Sequence, residues 1–239
     1  MTDGLYRILR AGFQHLIWGG DLRGEENLPD RGPAVLVANH LGALGPIATA
    51  AILPLRLYPW IACAMLDPVV APEYLRLDCV EKEMHLRTPV SRWVADVLSK
   101  LAVPLLISVG CIPVFPDQEG LRQTIEISLE HLLQGQFLIV FPEDPNRPID
   151  ERFMMTPFKK GFARLGELYY QRCGERLRFY PLAVHAEKRL VVVGDPLTYN
   201  PMDTPVEERL RIRNTLEGMI HEMYVSLEID GTPGLPQIR

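Results

Sequence analysis

The sequence predicts an α/β domain: a largely parallel sheet flanked by helices. Three observations carry this. Short unbroken apolar runs at residues 34–38 (A-V-L-V-A), 137–141 (F-L-I-V-F) and 179–184 suit strands buried on both faces. Stretches with apolar residues at helical spacing alternate with these runs, as they do in folds whose parallel strands are joined by helices. The 239 residues, 47% hydrophobic and 23% charged, have the composition of an ordinary globular chain and match one domain spanning 1–239. In such a fold the ligand site is expected beyond the carboxyl ends of the strands.

The elements follow in chain order. Residues 4–18 place Leu5, Leu9, Phe13 and Leu16 at helical spacing, with Ile8, Ile17 and Trp18 widening the stripe and Arg7, Arg10 and His15 elsewhere. This predicts an N-terminal amphipathic helix over about residues 1–20, either packed on the domain or lying in a membrane surface. The first strand, 34–38, is bounded by Gly32-Pro33 and Asn39. A stripe of Leu121, Ile125, Leu129 and Leu132 predicts a helix that ends at Gly135, a residue suited to a left-handed cap. The strands 137–141 and 179–184 come next. Thr204-Pro205-Val206-Glu207 has the form of a capping box with Pro at the first helical position, and opens a helix to about Leu227. The tail from 231 to 239, with Pro233 and Pro236, is expected to fray.

Composition also excludes functions. The net charge is −5 and there is no Lys/Arg run, so nucleic acid is not an expected partner: phosphate neutralisation supplies most non-specific affinity. Cys63, Cys79, Cys111 and Cys173 form no C-x-x-C pair and are expected to be reduced core thiols of a cytoplasmic protein. Residues 43–66 and 101–115 approach the apolarity of a membrane span. The first is broken by Pro46, Pro54, Arg56 and Pro59, and the second is shorter than the roughly 20 residues a spanning helix needs. A spanning segment is therefore rejected, while contact with the inner membrane surface stays open. No G-x-S-x-G, G-x-G-x-x-G or Walker loop is present, and His221-Glu222 lacks the second histidine of a zinc helix. No metal or cofactor is expected.

Two features remain. Asn39-His40 follows the first strand directly, and a histidine at such a strand end suits a general base. Phe141-Pro142-Glu143-Asp144-Pro145-Asn146-Arg147 leaves the second strand at the same end, and could hold a polar or phosphorylated substrate or form a solvated turn. Between residues 151 and 190 nine Lys/Arg face four acids, an excess suited to an anionic ligand or to a solvated face.

In order, V-A-N-H, G-C-I-P-V-F, F-P-E-D-P-N-R, P-F-K-K-G-F-A-R-L and Y-P-L-A-V resemble the glycerolipid acyltransferase family, which includes the lysophosphatidic acid acyltransferases. The resemblance covers about residues 28–196. It implies an acyltransferase in which His40 takes the proton of an acceptor hydroxyl as that hydroxyl attacks an acyl-CoA or acyl-carrier-protein thioester. It also implies an acceptor site near Asn39, Glu143, Arg147, Lys159 and Lys160.

The departures from the family pattern fall on chemistry. Where the family has Asp five residues after the histidine, this chain has Gly45, and where it has a phosphate-binding arginine after the second block, this chain runs into Phe115-Pro116. Asp144 replaces a family glycine and is a candidate for the missing carboxylate; Asp67 is a second. On the same reasoning Gly45→Asp is expected to restore part of any lost activity. The departures also admit a silent relative that binds lipid or a protein partner, or an acyltransferase with a non-phosphate acceptor.

Overall fold

The computed structural model of the protein describes residues 3–42 and 44–229. Its eight strands are β1 (Asp21–Arg23), β2 (Ala34–Ala38), β3 (Leu57–Ala62), β4 (Ile112–Val114), β5 (Phe137–Val140), β6 (Arg178–His185), β7 (Leu190–Val193) and β8 (Leu197–Thr198). Along the sheet they run β1-β7-β6-β2-β5-β3-β4, with β8 beside β6. Pairing is parallel except for β7 and β8 on β6. The largely parallel sheet is therefore present. The chain runs from β2 past the position of β5 to β3, later returns to insert β5, and crosses to the other side of β2 for β6. β2 is thus the point where the strand order reverses, and its carboxyl end is where such sheets open a crevice.

The alternation of side chains along β2 explains why a five-residue run suffices. Val35 and Val37 face a core layer with Leu138, Val140, Phe179, Ile125, Leu129, Ile212 and Leu216. Ala34, Leu36 and Ala38 face the opposite layer with Ile139, Leu182, Trp18, Ala48 and Leu53. The first layer is roofed by helices α5 (Gln118–Leu133), α6 (Arg164–Cys173) and α7 (Pro205–Ile229). At the start of α7, Thr204 and Glu207 do meet, with Oγ1 and Oε2 at 2.6 Å. Gly135 takes a positive φ of 74° just past α5, as its role in capping requires.

Helix α1 (Asp3–Phe13) continues through a π turn to Trp18 and packs on α2 (Leu44–Ile52). Arg10 Nη1 donates to the Leu53 carbonyl at 3.0 Å, the Leu57 N–H donates to the Tyr6 hydroxyl at 3.2 Å, and Trp18 is 1% exposed. The segment is thus part of the core, and it still leaves Ile8 and Leu16 in solvent. The two apolar stretches at 43–66 and 101–115 each divide. One becomes α2 and β3; the other becomes the end of α4 (Val90–Val109) and β4. Among the described residues no helix is long and apolar enough to cross a membrane.

One expectation is corrected. Cys63, Cys79 and Cys111 are only half-buried and Cys173 is exposed, so none is a core thiol. Of the basic residues between 151 and 190, Arg178 opens β6 while Lys188 and Arg189 lie past its other end. The expected tail at 231–239 lies outside the described residues. Because Trp18 fills the layer under β2, Trp18→Ala is expected to cost about 3–5 kcal/mol and lower Tm by about 10 °C, read by thermal unfolding.

Candidate active site

The site is built at the carboxyl ends of β2, β5 and β6. Buried Asn39 directly follows β2, and its side chain continues the β2–β6 pairing: Nδ2 donates to the Val184 carbonyl at 2.9 Å and Oδ1 accepts the Val184 N–H at 2.7 Å. Both amide atoms are therefore engaged with backbone and hold the strand end. The chain then turns outward at His40 through Leu41 and Gly42, both with positive φ (45° and 61°). The turn closes where the Gly45 N–H donates to the His40 carbonyl at 3.1 Å, at the start of α2. Leu41 pays for a backbone region that L residues seldom occupy, and such strain concentrates at functional turns.

Glu143 fixes this turn from the neighbouring strand. One carboxylate oxygen accepts the His40 N–H at 2.5 Å; the other accepts the Thr156 N–H at 2.9 Å and lies 3.3 Å from the Thr156 hydroxyl. Glu143 also forms an antiparallel bridge with Phe158. Burial pushes the Glu143 carboxyl above the usual range, and these hydrogen bonds pull it back toward ionisation. The F-P-E segment is thus brought to His40 as expected, with both Glu143 oxygens serving the protein's own backbone.

The His40 ring stands edge-on to Phe141, with centroids 5.5 Å apart and planes at 81°. The surrounding chain removes water from the ring and lowers its pKa below the ordinary 6.5. The negative charge of Asp78 and a hydrogen bond to the Gly42 backbone act in the opposite direction, while Lys82 adds to the lowering. The net result is an imidazole that is neutral at neutral pH, the form a general base requires.

The other candidates lie apart from the ring. Asp144 Oδ1 accepts the Asn146 N–H at 3.1 Å and is 3.3 Å from Lys159 Nζ, and the Asn146 hydrogen bond holds its carboxyl below the usual range. Among the described residues no hydrogen bond or ion pair joins Asp144 to His40. Asp67 accepts the N–H groups of Val69 and Val70 at 2.8 and 3.4 Å and so organises its own turn. Arg147 and Lys160 are exposed, at the Asp144 turn and before α6 respectively. The expected rescue by Gly45→Asp is overturned: a Cβ on Gly45 would overlap the His40 carbonyl oxygen and crowd that of Asn39. Thr156 and Asp78 are the contributors that sequence reasoning missed.

The family model described as Acyltransferase matches residues 21–184, well over half of the chain, and contains β1 through most of β6. The chain belongs to this acyltransferase family. It is accordingly an enzyme of acyl-group transfer by family. Its fold is similar to that of the crystal structure of the 1-acyl-sn-glycerophosphate (LPA) acyltransferase PlsC from Thermotoga maritima. The TM-score is 0.53 at 15% identity, covering 98% of this chain and 86% of that one. No curated protein matches the chain.

The close approach at Gly45 generates a prediction for this acyltransferase. Gly45→Ala forces the His40 carbonyl to move, so it is expected to cost about 1–3 kcal/mol. A thermal melt should register the loss, and Gly45→Asp should destabilise at least as much.

Proposed function

We propose that the protein transfers an acyl chain from a thioester to the hydroxyl of a lipid-like acceptor, with His40 as general base. The observation that carries this reading is the His40 ring itself: at the carboxyl end of the central strand, kept neutral by its surroundings, and set against Phe141. His40 accepts the hydroxyl proton as the oxygen attacks the thioester carbonyl. The tetrahedral intermediate then collapses, the C–S bond breaks, and the proton passes to the departing sulfur to give a thiol. The donor is an acyl-CoA or an acyl-carrier protein, and no further cofactor enters. His40→Ala should abolish transfer while leaving Tm within a few degrees, because the residue is exposed and carries little packing. An active His40→Ala protein would remove His40 from the chemistry.

The acceptor is proposed not to depend on a phosphate. Pro116, which stands where the resemblance expects an arginine, is exposed and offers no donor. A charge-assisted hydrogen bond contributes about 1.5–3 kcal/mol, so phosphate affinity should fall roughly tenfold or more. With one acyl thioester and two competing acceptors, lysophosphatidic acid should lose to a lipid hydroxyl without a free phosphate, read by mass spectrometry. A preference for lysophosphatidic acid would show that other residues hold the phosphate.

A lipid-like acceptor implies work at a membrane surface, and α4 supports this more than α1 does. Its inward face carries the small residues Ser91, Ala95 and Ser99, while Val90, Trp93, Val97 and Leu101 form an outward stripe. Trp93 and Leu101 are each 69% exposed, and Arg92 and Lys100 lie on the same helix. Trp93→Glu should reduce sedimentation with anionic liposomes several-fold without lowering Tm. Unchanged sedimentation would remove α4 from the docking face.

A further inference from the structure

Helix α7 lies past residue 184, where the family match ends, yet it grips the active-site segment. Its buried residues Ile212, Leu216, Ile220 and Tyr224 recur four apart and face the core. Beside that stripe, one position on, runs a second: Arg213, Glu217 and His221, again four apart and each half-buried. All three are committed to residues 153–158. The Phe158 N–H donates to Glu217 Oε1 at 2.8 Å, Arg213 Nε donates to the Phe158 carbonyl at 2.8 Å, and Arg213 Nη1 lies 3.3 Å from Glu217 Oε2. One turn on, the His221 ring stacks on Phe153, with centroids 4.0 Å apart and planes at 2°. Among the described residues, neither α3 (Ala71–Leu75) nor α4 supplies such a bond to this segment.

The grip reaches His40 without a break. Phe158 bridges Glu143 in a two-stranded piece: the Asp144 N–H donates to the Pro157 carbonyl at 3.0 Å, and the Lys159 N–H to the Pro142 carbonyl at 2.7 Å. Two residues before Phe158, the Thr156 N–H holds one Glu143 oxygen at 2.9 Å, and the other Glu143 oxygen holds the His40 N–H at 2.5 Å. Phe158 is 3% exposed, so its backbone groups have little water to turn to if α7 lets go. The Arg213 and Glu217 side chains are 28% and 14% exposed, which leaves their pair less screened than one at the surface.

We propose that the Arg213–Glu217 pair of α7, aided by His221 against Phe153, positions His40 for proton transfer by setting the Thr156–Glu143 arm whose carboxylate fixes the histidine turn. The proposal rests on His40 being the base. Arg213, Glu217 and His221 are positioning residues: each acts through Phe158 or Phe153 and takes no part in the proton transfer itself.

The test is hydrogen exchange at the His40 amide in the full-length protein, beside kinetics with one acyl thioester and a lipid hydroxyl. In Glu217→Ala the His40 amide should exchange about tenfold faster, and kcat should fall about tenfold with KM within about twofold. Glu217→Gln, which still accepts the Phe158 N–H, should return both to within about threefold of wild type. His221→Ala should give smaller changes in the same direction. Leu227→Ala, a buried change near the end of α7, is the control: it should lower Tm and leave the His40 amide and kcat unchanged. Where Glu217→Ala does not fold, Arg213→Met, which strips the donor from the Phe158 carbonyl, carries the same expectations. An unmoved His40 amide in a folded Glu217→Ala or Arg213→Met protein overturns the proposal, and so does an equal change in Leu227→Ala. The exchange measurement needs no turnover: a wild type that transfers no acyl chain defeats the acyltransferase reading, while exchange still decides whether α7 holds the His40 turn.

Discussion

The hydrogen bond from the His40 N–H to Glu143 is the interaction on which the site depends. It joins the ends of two neighbouring parallel strands at the point where the strand order reverses, and it does so through a half-buried carboxylate whose other oxygen holds Thr156. Asn39 performs the matching task toward β6 by exchanging two hydrogen bonds with Val184. Between them, Glu143 and Asn39 leave the His40 turn little freedom, and Leu41 accepts an unfavourable φ as the consequence. A side chain held in this way loses less entropy on reaching a reactive geometry.

The same tightness accounts for the loss of a carboxylate on α2. The helix starts so close to the strand end that the Gly45 N–H reaches the His40 carbonyl, and only a residue without Cβ fits. Gly45 is therefore a packing requirement of this turn, and reinstating aspartate there would break the contact that sets the histidine. Partial loss of water around the ring of this otherwise accessible residue is then the largest influence on it, with opposite charges from Asp78 and Lys82 acting as smaller corrections.

Much of this was legible in the sequence. The runs that became β2, β5 and most of β6 are continuous because each faces two core layers, and their order relative to His40 and Glu143 placed both residues at one sheet edge. The short strands β1, β4 and β8 escaped because two or three residues carry no period. β3 escaped because Arg56 and Pro59 interrupt its apolar pattern. Asp144 looked like a partner for His40 because sequence shows adjacency to a strand end but not side-chain direction; its neighbours Asn146 and Lys159 capture it locally. The influence of Asp78 could not be found at all, since nothing in L-D-C-V-E-K-E links it to the charge of a histidine 38 residues earlier.

The central claim is that His40 acts as a neutral base whose pKa is lowered by its surroundings. The pH dependence of kcat/KM for the wild-type protein, which reports the free enzyme, tests it most directly. A folded-state pKa below the ordinary imidazole value means that the base stays unprotonated until the pH drops under about 6.5. Activity should then be flat through neutrality and fall along a single acid limb whose midpoint lies below 6.5. A limb centred above that value, or no limb down to the pH at which the protein unfolds, would contradict the account.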